Sequence, residues 1–432
     1  MEQVSKALQN KRLLLLGSTP NIAGMVKTAQ AMGIYVLVTD NKALKDAPAK
    51  LIADEYADIS LADIDAVADY IREKQIDGVL TGFSDSYLTY YRAICEKAGL
   101  PCYGDAHTFD IATDKMCFKQ ACVGAGVGTI PGTNAYAYEE AMAFAKKNGY
   151  PLMLKPADNS GSRGVIKCEC EDELKNAYEY ALSFSPTKNV ICERFMDCDG
   201  IGVSYQLIDG EAYLSSTCDR VNYCAAGDGS SITGDLLYPS KYTERYIREM
   251  DSAVKTMLRQ NGFRHGMVSL QSFVDEKGFY MCEMCYRPSG GHHYILIDDQ
   301  NGIDSLKLLI EFAVTGKVAA YDPAKETPFF HEMCAMTHII GKPGETVAVA
   351  EGYDALAAKE GVIDVVQDIC PDTVIGKDGT TAQVVATVWF KGADLEALRS
   401  RANSFPAVLK IENAEGQSLI KTRYFTETRA AE

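Results

Sequence analysis

Long apolar runs are missing from this 432-residue sequence, and so is an excess of positive charge. No uninterrupted apolar stretch approaches the roughly 20 residues that a membrane-spanning helix needs, so a membrane protein is disfavoured. Lysine and arginine number 43 against 59 aspartates and glutamates, which gives a formal charge of −16. Such a chain repels phosphate backbones at long range, so a nucleic-acid substrate is disfavoured, whereas single nucleotides are still allowed.

A signal-peptide core and a zinc pattern are also missing. Residues 1–12 contain no long apolar segment, so we expect a cytoplasmic protein whose 14 cysteines stay reduced. Cys282 and Cys285 form one C-x-x-C pair, and Cys168 and Cys170 form one C-x-C pair. A structural zinc site usually needs two C-x-x-C pairs at regular spacing, so zinc is not expected.

Apolar runs alternate with helical patterns in the first quarter of the chain. Residues 11–16 and 34–38 have the pattern of strands, and a helical stretch between them follows a glycine turn. This is one β-α-β unit, and the alternation of strand and helix patterns continues as far as residue 98. We therefore predict a parallel α/β domain over residues 1–110.

The glycine turn after the first strand could indicate a dinucleotide site, because Asp40 ends the second strand. The spacing does not fit, since six residues separate Gly17 from Gly24 and neither G-x-G-x-x-G nor G-x-x-x-x-G-K-[ST] occurs. We interpret the turn as structural. A nicotinamide-dependent oxidoreductase is therefore the least favoured function.

Strands and helices continue in a different order after residue 110. Residues 111–320 have the pattern of an α+β region, and residues 321–432 that of a small α+β domain with short strands. Residues 224–240 are rich in glycine, serine and aspartate, which predicts a loop on the substrate side.

Three segments of residues 111–320 carry residue types suited to a nucleotide. Lys155 ends an apolar strand, where its charge could reach phosphates. Backbone N–H groups of a loop of small residues could surround phosphate oxygens; this loop contains Ser160, Gly161, Ser162 and Gly164. Glu193 lies on an apolar strand that could present its edge to adenine. Taken alone, each segment also fits an ordinary structural role, such as a solvated lysine or a flexible hairpin loop.

The fourth segment has the pattern of a β-hairpin that could hold a metal ion. A short turn at residues 275–278 separates its strands, so Gln271 and Glu283 are expected side by side. Mg²⁺ prefers oxygen ligands, usually one or two carboxylates together with substrate phosphates. Arg287 follows the second strand and could stabilise a phosphoryl group in transfer. Alone, this pair would be interpreted as a structural cross-strand contact.

In their order and spacing, the four segments resemble the ATP-grasp superfamily, over nearly the whole chain. The resemblance implies an α/β fold with a pre-ATP-grasp domain at 1–110 and an ATP-grasp domain at 111–320. It further implies a lid subdomain at about 125–200 and an α+β C-terminal domain at 321–432. ATP and Mg²⁺ are the implied cofactors.

The resemblance also implies a role for each matching residue. Asp114-Lys115 stands at the family's opening Asp-Lys, and Glu283-Met-Cys-Tyr-Arg287 stands at its closing acid-x-Asn-x-Arg signature. The implied nucleotide-binding residues are Lys115, Lys155, Ser160, Gly161, Ser162, Gly164, Glu193, Arg194, Phe195, Met196 and, more loosely placed, Asp199. The implied metal ligands are Gln271 and Glu283, and the implied catalytic residues are Arg287 and Lys155.

Two residues depart from the family pattern. Cys285 stands where the signature has asparagine, and a thiol is a poor ligand for a hard cation. Gln271 stands where an acid is usual, a choice also seen among carbamoyl-phosphate synthetases. The metal site would therefore depend heavily on Glu283, with a weak site or a water ligand as the consequence.

The reaction implied is phosphorylation of a carboxylate by ATP, followed by attack of an amine on the acyl phosphate. Arg220 could pair with the substrate carboxylate, and the loop after Arg287 could complete the pocket. Its candidate residues are Ser289, Gly290, Gly291 and His292. A soft similarity of residues 361–391 to amino-acid ligases favours an amino acid as substrate. The alternatives are a bicarbonate-using carboxylase or carbamoyl-phosphate-type ligase and an ATP-binding sensor without turnover. Whether the chain forms a homodimer stays open.

Overall fold

The computed structural model describes residues 7–158, 164–224, 231–421 and 425. Ser160, Gly161 and Ser162 of the predicted phosphate loop lie outside these ranges. Throughout the described ranges, each helix is too short or too polar to cross a bilayer.

Four parallel strands form the first sheet, in the order β3-β2-β1-β4. They are β1 (Arg12–Leu16), β2 (Tyr35–Thr39), β3 (Glu55–Ala57) and β4 (Gly78–Leu80). The helices of this region are α1 (Pro20–Ala31), α2 (Pro48–Ile52), α3 (Ile64–Glu73), α4 (Leu88–Ala98) and α5 (Ala106–Thr113). Leu13 to Leu16 are fully buried, as expected for a strand that is covered on both faces. The predicted parallel α/β arrangement is confirmed.

A second, antiparallel sheet has the order β5-β8-β6-β7. Its strands are β5 (Gly132–Ala135), β6 (Leu152–Pro156), β7 (Ile166–Cys168) and β8 (Val190–Arg194). The helices of this part of the chain are α6 (Lys115–Gly124), α7 (Tyr138–Asn148) and α8 (Glu171–Ser183). Apolar residues of the sheet, α7 and α8 form one core. This sheet lies within the stretch predicted as a lid, whose limits stay a prediction.

Eight strands form the largest sheet, in the order β13-β12-β9-β10-β11-β14-β17-β16. Its strands are β9 (Asp199–Ile208), β10 (Glu211–Cys224), β11 (Ser231–Tyr238), β12 (Gly266–Asp275), β13 (Gly278–Cys285), β14 (Met333–Ile340), β16 (Val362–Gln367) and β17 (Val384–Gly392). Strands β15 (Val349–Glu351) and β18 (Lys410–Glu412) pair separately. The remaining helices are α9 (Thr243–Tyr246), α10 (Ser252–Gln260), α11 (His293–Asn301), α12 (Ser305–Thr315), α13 (Tyr353–Ala357) and α14 (Leu395–Ser404).

Two sequence-based expectations differ from this sheet. The segment predicted as a loop forms β11 over Ser231–Tyr238, between β10 and β14. Strands that follow residue 320 extend the large sheet, so the C-terminal part of the chain shares a sheet with the central part. The domain limits at 110 and 320 stay a prediction.

Helix α12 holds the first sheet against the largest one. Its residues Leu309, Ile310 and Ala313 belong to the same buried core as β1, β4 and β12. A Cβ on Gly78 would lie 2.2 Å from the carbonyl oxygen of Ala313, so a residue larger than glycine cannot make this approach. The close packing places the loop after β4 beside the end of β13.

Candidate active site

Helix α6 begins at the predicted Asp-Lys pair. Asp114 caps the helix, because its Oδ1 accepts hydrogen bonds from the backbone N–H groups of Met116 at 2.7 Å and Cys117 at 2.9 Å. Lys115 is the first helical residue, and Lys119 lies one turn further on. The cap fixes the start of the helix, and the two lysines therefore leave the helix at defined positions.

Glu193 joins two lysines from different parts of the chain. Its carboxylate forms ion pairs with Lys119 Nζ and Lys155 Nζ, both at 2.5 Å. Strand β8 brings Glu193 opposite Met153 of β6 and Gly132 of β5. Lys119 Nζ also donates a hydrogen bond to the carbonyl oxygen of Ile130 at 2.9 Å. The sequence analysis did not identify Lys119.

The charges in this cluster keep one another ionised. Burial alone would raise the pKa of Glu193, which is 2% exposed, but Lys155 and Lys119 lower it. Burial alone would lower the pKa of Lys155, but Glu193 raises it above its usual value. Glu193 is therefore an ionised anchor for two ammonium groups. Both oxygens of the Glu193 carboxylate pair with these lysines. Recognition of adenine beside this strand would therefore depend on neighbouring groups.

Three other predicted nucleotide-binding residues, Arg194, Phe195 and Met196, follow Glu193 directly. The Lys167 ammonium lies 4.1 Å from the centre of the Phe195 ring, and Arg194 Nη2 donates to Met196 Sδ at 3.4 Å. Met196 is buried. Together these side chains form a partly apolar surface beside the lysine cluster.

Asp199 and Gly164 are the remaining predicted nucleotide-binding residues that the structure describes. Asp199 forms an ion pair with Lys241 at 2.8 Å and accepts a hydrogen bond from the Tyr242 hydroxyl at 2.8 Å. Gly164 has φ +77°, and a Cβ there would lie 2.6 Å from Phe184. The role of Asp199 at a ribose stays a prediction.

Lys115 and Glu283 belong to the same electrostatic environment as this cluster. Burial lowers the pKa of Lys115, the charge of Glu283 opposes that shift, and the positive charge of Lys155 adds to it. Glu283 also acts on Lys155. The structure therefore brings Lys115, Lys155, Glu193 and Glu283 together, although they come from four different elements, α6, β6, β8 and β13.

The predicted pairing of Gln271 with Glu283 is present. The two residues are directly opposite each other on β12 and β13, and a bulge follows Gln271. The Glu283 side chain is exposed, whereas Gln271 is half-buried. Within the described ranges, no three His, Cys, Asp or Glu side chains cluster as a metal site would require. One carboxylate and one amide oxygen fit a Mg²⁺ ion that takes its other ligands from phosphates and water.

Cys285 does not complete this donor set. Burial raises the pKa of its thiol to about 12, so the sulfur stays protonated at neutral pH. A protonated thiol offers no ligand to a hard cation. The departure from asparagine therefore removes one oxygen donor from the site.

Arg287 is held by a residue that the sequence analysis did not identify. Its Nε donates to Asp85 Oδ1 at 2.7 Å, and its Nη2 donates to Asp85 Oδ2 at 2.6 Å. Asp85 lies in the loop after β4, at the carboxyl edge of the parallel sheet, where ligands usually bind in such sheets. That position was the one available signal for Asp85 in the sequence.

Arg220 and a cavity beside Arg287 mark the candidate substrate side. Arg220 lies on β10, and its Nη2 donates to Thr233 Oγ1 at 2.9 Å. Its charge acts on Cys282, Cys285 and His293. The cavity beside Arg287 has a volume of about 20 Å³, and the residues that line it include Ser204, Ser269, Ser289 and His293.

The predicted substrate residue His292 packs among aromatic rings in this region. It is 4% exposed, its ring lies 4.9 Å from that of Phe83 and 5.0 Å from that of Trp389, and the three rings pack together. Burial lowers its pKa to about 3, so it is neutral at physiological pH. Trp389 Nε1 donates to the carbonyl oxygen of Gly291 at 3.1 Å, and Gly290 is exposed.

Comparison with known proteins finds a family match that includes Lys115, Lys155 and Glu283. Residues 114–317 match the family described as carbamoyl-phosphate synthase L chain, ATP binding domain. The chain is 26% identical over 286 residues to formate-dependent phosphoribosylglycinamide formyltransferase of Erythrobacter litoralis, covering 64% of this chain and 70% of that protein. It is 23% identical over 295 residues to the carbamoyl phosphate synthase large chain, C-terminal section, of Aquifex aeolicus, covering 65% of this chain and 54% of that protein.

Two solved structures share the fold over almost the whole chain. L-amino acid ligase from Bacillus licheniformis has a TM-score of 0.76 at 17% identity, covering 94% of this chain and 99% of that one. The biotin carboxylase domain of Hydrogenobacter thermophilus 2-oxoglutarate carboxylase, in complex with MgADP, ADP and bicarbonate, has a TM-score of 0.77 at 19% identity, covering 96% and 92%. At these identities the likeness establishes the fold alone.

Proposed function

The chain belongs to the ATP-grasp superfamily, and from this premise we propose that it is an ATP- and Mg²⁺-dependent ligase. It activates a carboxylate as an acyl phosphate and couples it to an amine. The observation that carries the proposal is the gathering of Lys115 and Lys155 with Glu283 in one electrostatic environment. Two ammonium groups beside an exposed carboxylate suit a nucleotide triphosphate with its metal ion.

Lys115 and Lys155 bind the phosphates in this proposal. Burial lowers the pKa of Lys115, so the nearby carboxylates compensate its ammonium form only in part in the free protein. A phosphate group beside Lys115 supplies that compensation and favours the charged form. Lys155 is already compensated by Glu193, and its fixed position lets it act as a point charge on the phosphates.

Gln271 and Glu283 hold the metal ion. A bound Mg²⁺ offsets negative charge on the phosphates and lowers the cost of bringing the carboxylate close to them. The protein contributes one carboxylate and one amide from adjacent strands. Arg287, at the end of the same hairpin, stabilises the transferring phosphoryl group and the acyl phosphate.

The reaction has two balanced steps. A carboxylate oxygen attacks the γ-phosphorus of ATP, the bond to the β-phosphate oxygen breaks, and ADP leaves. The amine nitrogen then attacks the acyl carbon, the carbon–oxygen bond to phosphate breaks, and the products are an amide, inorganic phosphate and one released proton. Positioning and charge stabilisation provide the catalysis, which is consistent with a site built from cations and a metal-binding acid.

An amino acid is the proposed acid. Arg220 offers a guanidinium near the hairpin, where its charge acts on Cys282 and Cys285, and a guanidinium suits the carboxylate of an amino acid. Proteins with this fold include an L-amino acid ligase. Homodimer formation and a cytoplasmic location belong to the same proposal.

A pairwise screen of amino acids and small amines with ATP and Mg²⁺ tests this function. We expect ADP and phosphate in equal amounts in at least one well, together with an amide product detected by mass spectrometry. Turnover that needs bicarbonate instead of an amino acid would favour the carboxylase alternative. Tight ATP binding without phosphate release in any well would favour the sensor.

Lys155→Met and Glu283→Gln variants show whether the turnover belongs to this site. Each should reduce phosphate release about 100-fold or more, as loss of one preorganised charge typically does. Lys391→Met is the matched control. Lys391 lies on β17 and forms its ion pairs with Asp299 and Glu332, which are not part of the lysine cluster. The control should keep full activity.

A further inference from the structure

The bidentate pair of Asp85 and Arg287 connects two parts of the molecule that are 202 residues apart. Asp85 comes from the loop after β4 of the first sheet, whereas Arg287 lies just beyond β13 of the largest sheet. Arg287 is 8% exposed. Burial alone would lower its pKa, but the hydrogen bonds to Asp85 and the charge of that carboxylate raise it. The guanidinium is thus charged, buried and held from one side.

The donors of Arg287 can be counted. A guanidinium carries five N–H groups in a rigid plane. Two of them go to the Asp85 carboxylate, and one on Nη1 goes to the carbonyl oxygen of Pro288 at 3.1 Å. One N–H on Nη1 and one on Nη2 are left. Arg287 lines the cavity that contains Ser204, Ser269 and Ser289, so an acceptor that approaches from the cavity side can reach these two N–H groups.

Further contacts fix the two segments against each other. The Phe83 backbone N–H donates to the Pro288 carbonyl oxygen at 3.0 Å. A Cβ on Gly82 would lie 3.2 Å from the Pro288 ring, and the Phe83 ring packs against His292. The loop that carries Asp85 therefore packs directly against the segment that follows Arg287.

We propose that Asp85 is the positioning residue of Arg287. It fixes one side of the guanidinium fork so that the two remaining N–H groups face the phosphoryl group and the acyl phosphate. This inference rests on the proposed ligase function. It makes the first sheet, through the loop after β4, part of the phosphoryl-binding apparatus. A carboxylate is required because only two equivalent acceptor oxygens match the fork.

Positioning and simple electrostatics predict opposite effects when Asp85 is replaced by asparagine. Removing a negative charge beside Arg287 strengthens the attraction of an anion, if charge alone matters. The amide of asparagine accepts at one oxygen and presents N–H donors to the other arm of the fork, so the guanidinium loses its orientation. Positioning therefore predicts weaker anion binding.

Inorganic phosphate, which is the product anion, is the probe. Its dissociation constant is measured by calorimetry on the full chain saturated with MgADP, and MgADP binding is measured separately. For Asp85→Asn we expect phosphate affinity to fall about tenfold or more, as misplaced catalytic groups commonly cost, with MgADP affinity unchanged. Asp85→Glu should recover part of the loss, because it restores the carboxylate.

Asp77→Asn is the matched control. Asp77 directly precedes β4 and pairs with Lys11 at 2.7 Å, in the same sheet but away from Arg287. Its replacement should leave phosphate binding unchanged. Unchanged or tighter phosphate binding by Asp85→Asn would overturn the inference, and so would a wild-type chain that binds MgADP but not phosphate. Failure of the wild-type chain to bind MgADP would instead refute the proposed function, and the inference with it.

Discussion

Lys155 and Glu193 form a buried ion pair at 2.5 Å, and Lys119 occupies the other oxygen of the same carboxylate. One acid therefore supports two ammonium groups at the base of the candidate nucleotide site. Because Glu193 and Lys119 are buried and Lys155 is only partly exposed, the arrangement is costly to break and serves to fix Lys155 in place.

Replacing Glu193 by glutamine should strongly destabilise the fold. Two buried ammonium groups would lose their compensating charge, so the free energy of unfolding should fall by about 3 to 5 kcal/mol. Urea denaturation at neutral pH measures this change. Glu283→Gln is the control, because the Glu283 side chain is exposed, and it should change stability by less than about 0.5 kcal/mol. Equal effects of the two substitutions would show that the buried charge network does not stabilise the protein.

Replacing Cys285 by asparagine should lower the Mg²⁺ concentration needed for nucleotide binding several-fold. Sulfur is a poor ligand for a hard cation, whereas an amide oxygen at this position would add a donor beside Gln271 and Glu283. ATP binding measured over a series of Mg²⁺ concentrations provides the comparison. Cys285→Ala removes the thiol without adding a donor and should leave the requirement unchanged. If the alanine and asparagine variants behave alike, Cys285 does not border the metal site.

His292 should make the protein less stable in acid. Its folded-state pKa is lowered to about 3, below the ordinary value of about 6.5. Between these values the unfolded chain binds a proton at His292 that the folded chain does not. The free energy of unfolding therefore falls as the pH drops from about 6.5, by up to about 1.4 kcal/mol for each pH unit. Urea titrations from pH 7 to pH 4.5 measure the slope.

A His292→Asn variant should show a flatter slope, since the titrating group is gone and asparagine tolerates the left-handed backbone at this position, where φ is +44°. Phe83→Leu is the control, because it removes a ring from the same stack without removing a titrating group. It should lower stability by a similar amount at every pH. A slope in His292→Asn as steep as in the parent would contradict the assignment.

Replacing Gly132 by alanine should weaken the lysine cluster from its backbone side. A Cβ there would lie 2.6 Å from Lys119 Nζ and 2.7 Å from Glu193 Cγ, so the ion pairs must move. We expect nucleotide affinity to fall about tenfold, because a displacement of about 1 Å at a positioning group can have a large effect. Gly124→Ala is the control, since nothing lies within 4 Å of a Cβ at that position. Unchanged affinity in Gly132→Ala would show that the cluster is not coupled to nucleotide binding.

Local patterns predicted the parts of the fold whose contacts are local in sequence. The short turn at 275–278 was enough to predict the hairpin. The turn alone would pair Gln271 with Cys282, and the bulge after Gln271 puts it opposite Glu283. The composition of residues 224–240 led to a loop prediction that was wrong for β11, Ser231–Tyr238. Asp235 is fully buried there, but it accepts a hydrogen bond from the Thr337 hydroxyl at 2.6 Å. A polar residue whose partner lies 102 residues away gives no local sign that it belongs to a strand.

Some residues of the candidate site could be identified from local sequence patterns, and others could not. Lys155, Glu193 and Glu283 could be selected because each ends or interrupts an apolar strand. Lys119 and Asp85 could not, since one lies within an ordinary helix pattern and the other in a polar loop. Their roles depend on Glu193 and Arg287, which only the folded chain brings to them.

Binding of the non-hydrolysable ATP analogue AMP-PNP with Mg²⁺ tests the central claim most directly, by calorimetry on the wild-type chain and on Lys115→Met, Lys155→Met and Lys391→Met. The claim that Lys115, Lys155 and Glu283 border one nucleotide cleft predicts a single site per chain, at least tenfold weaker binding in the first two variants, and unchanged binding in the third. No binding by the wild-type chain, or equal binding by all three variants, would contradict it.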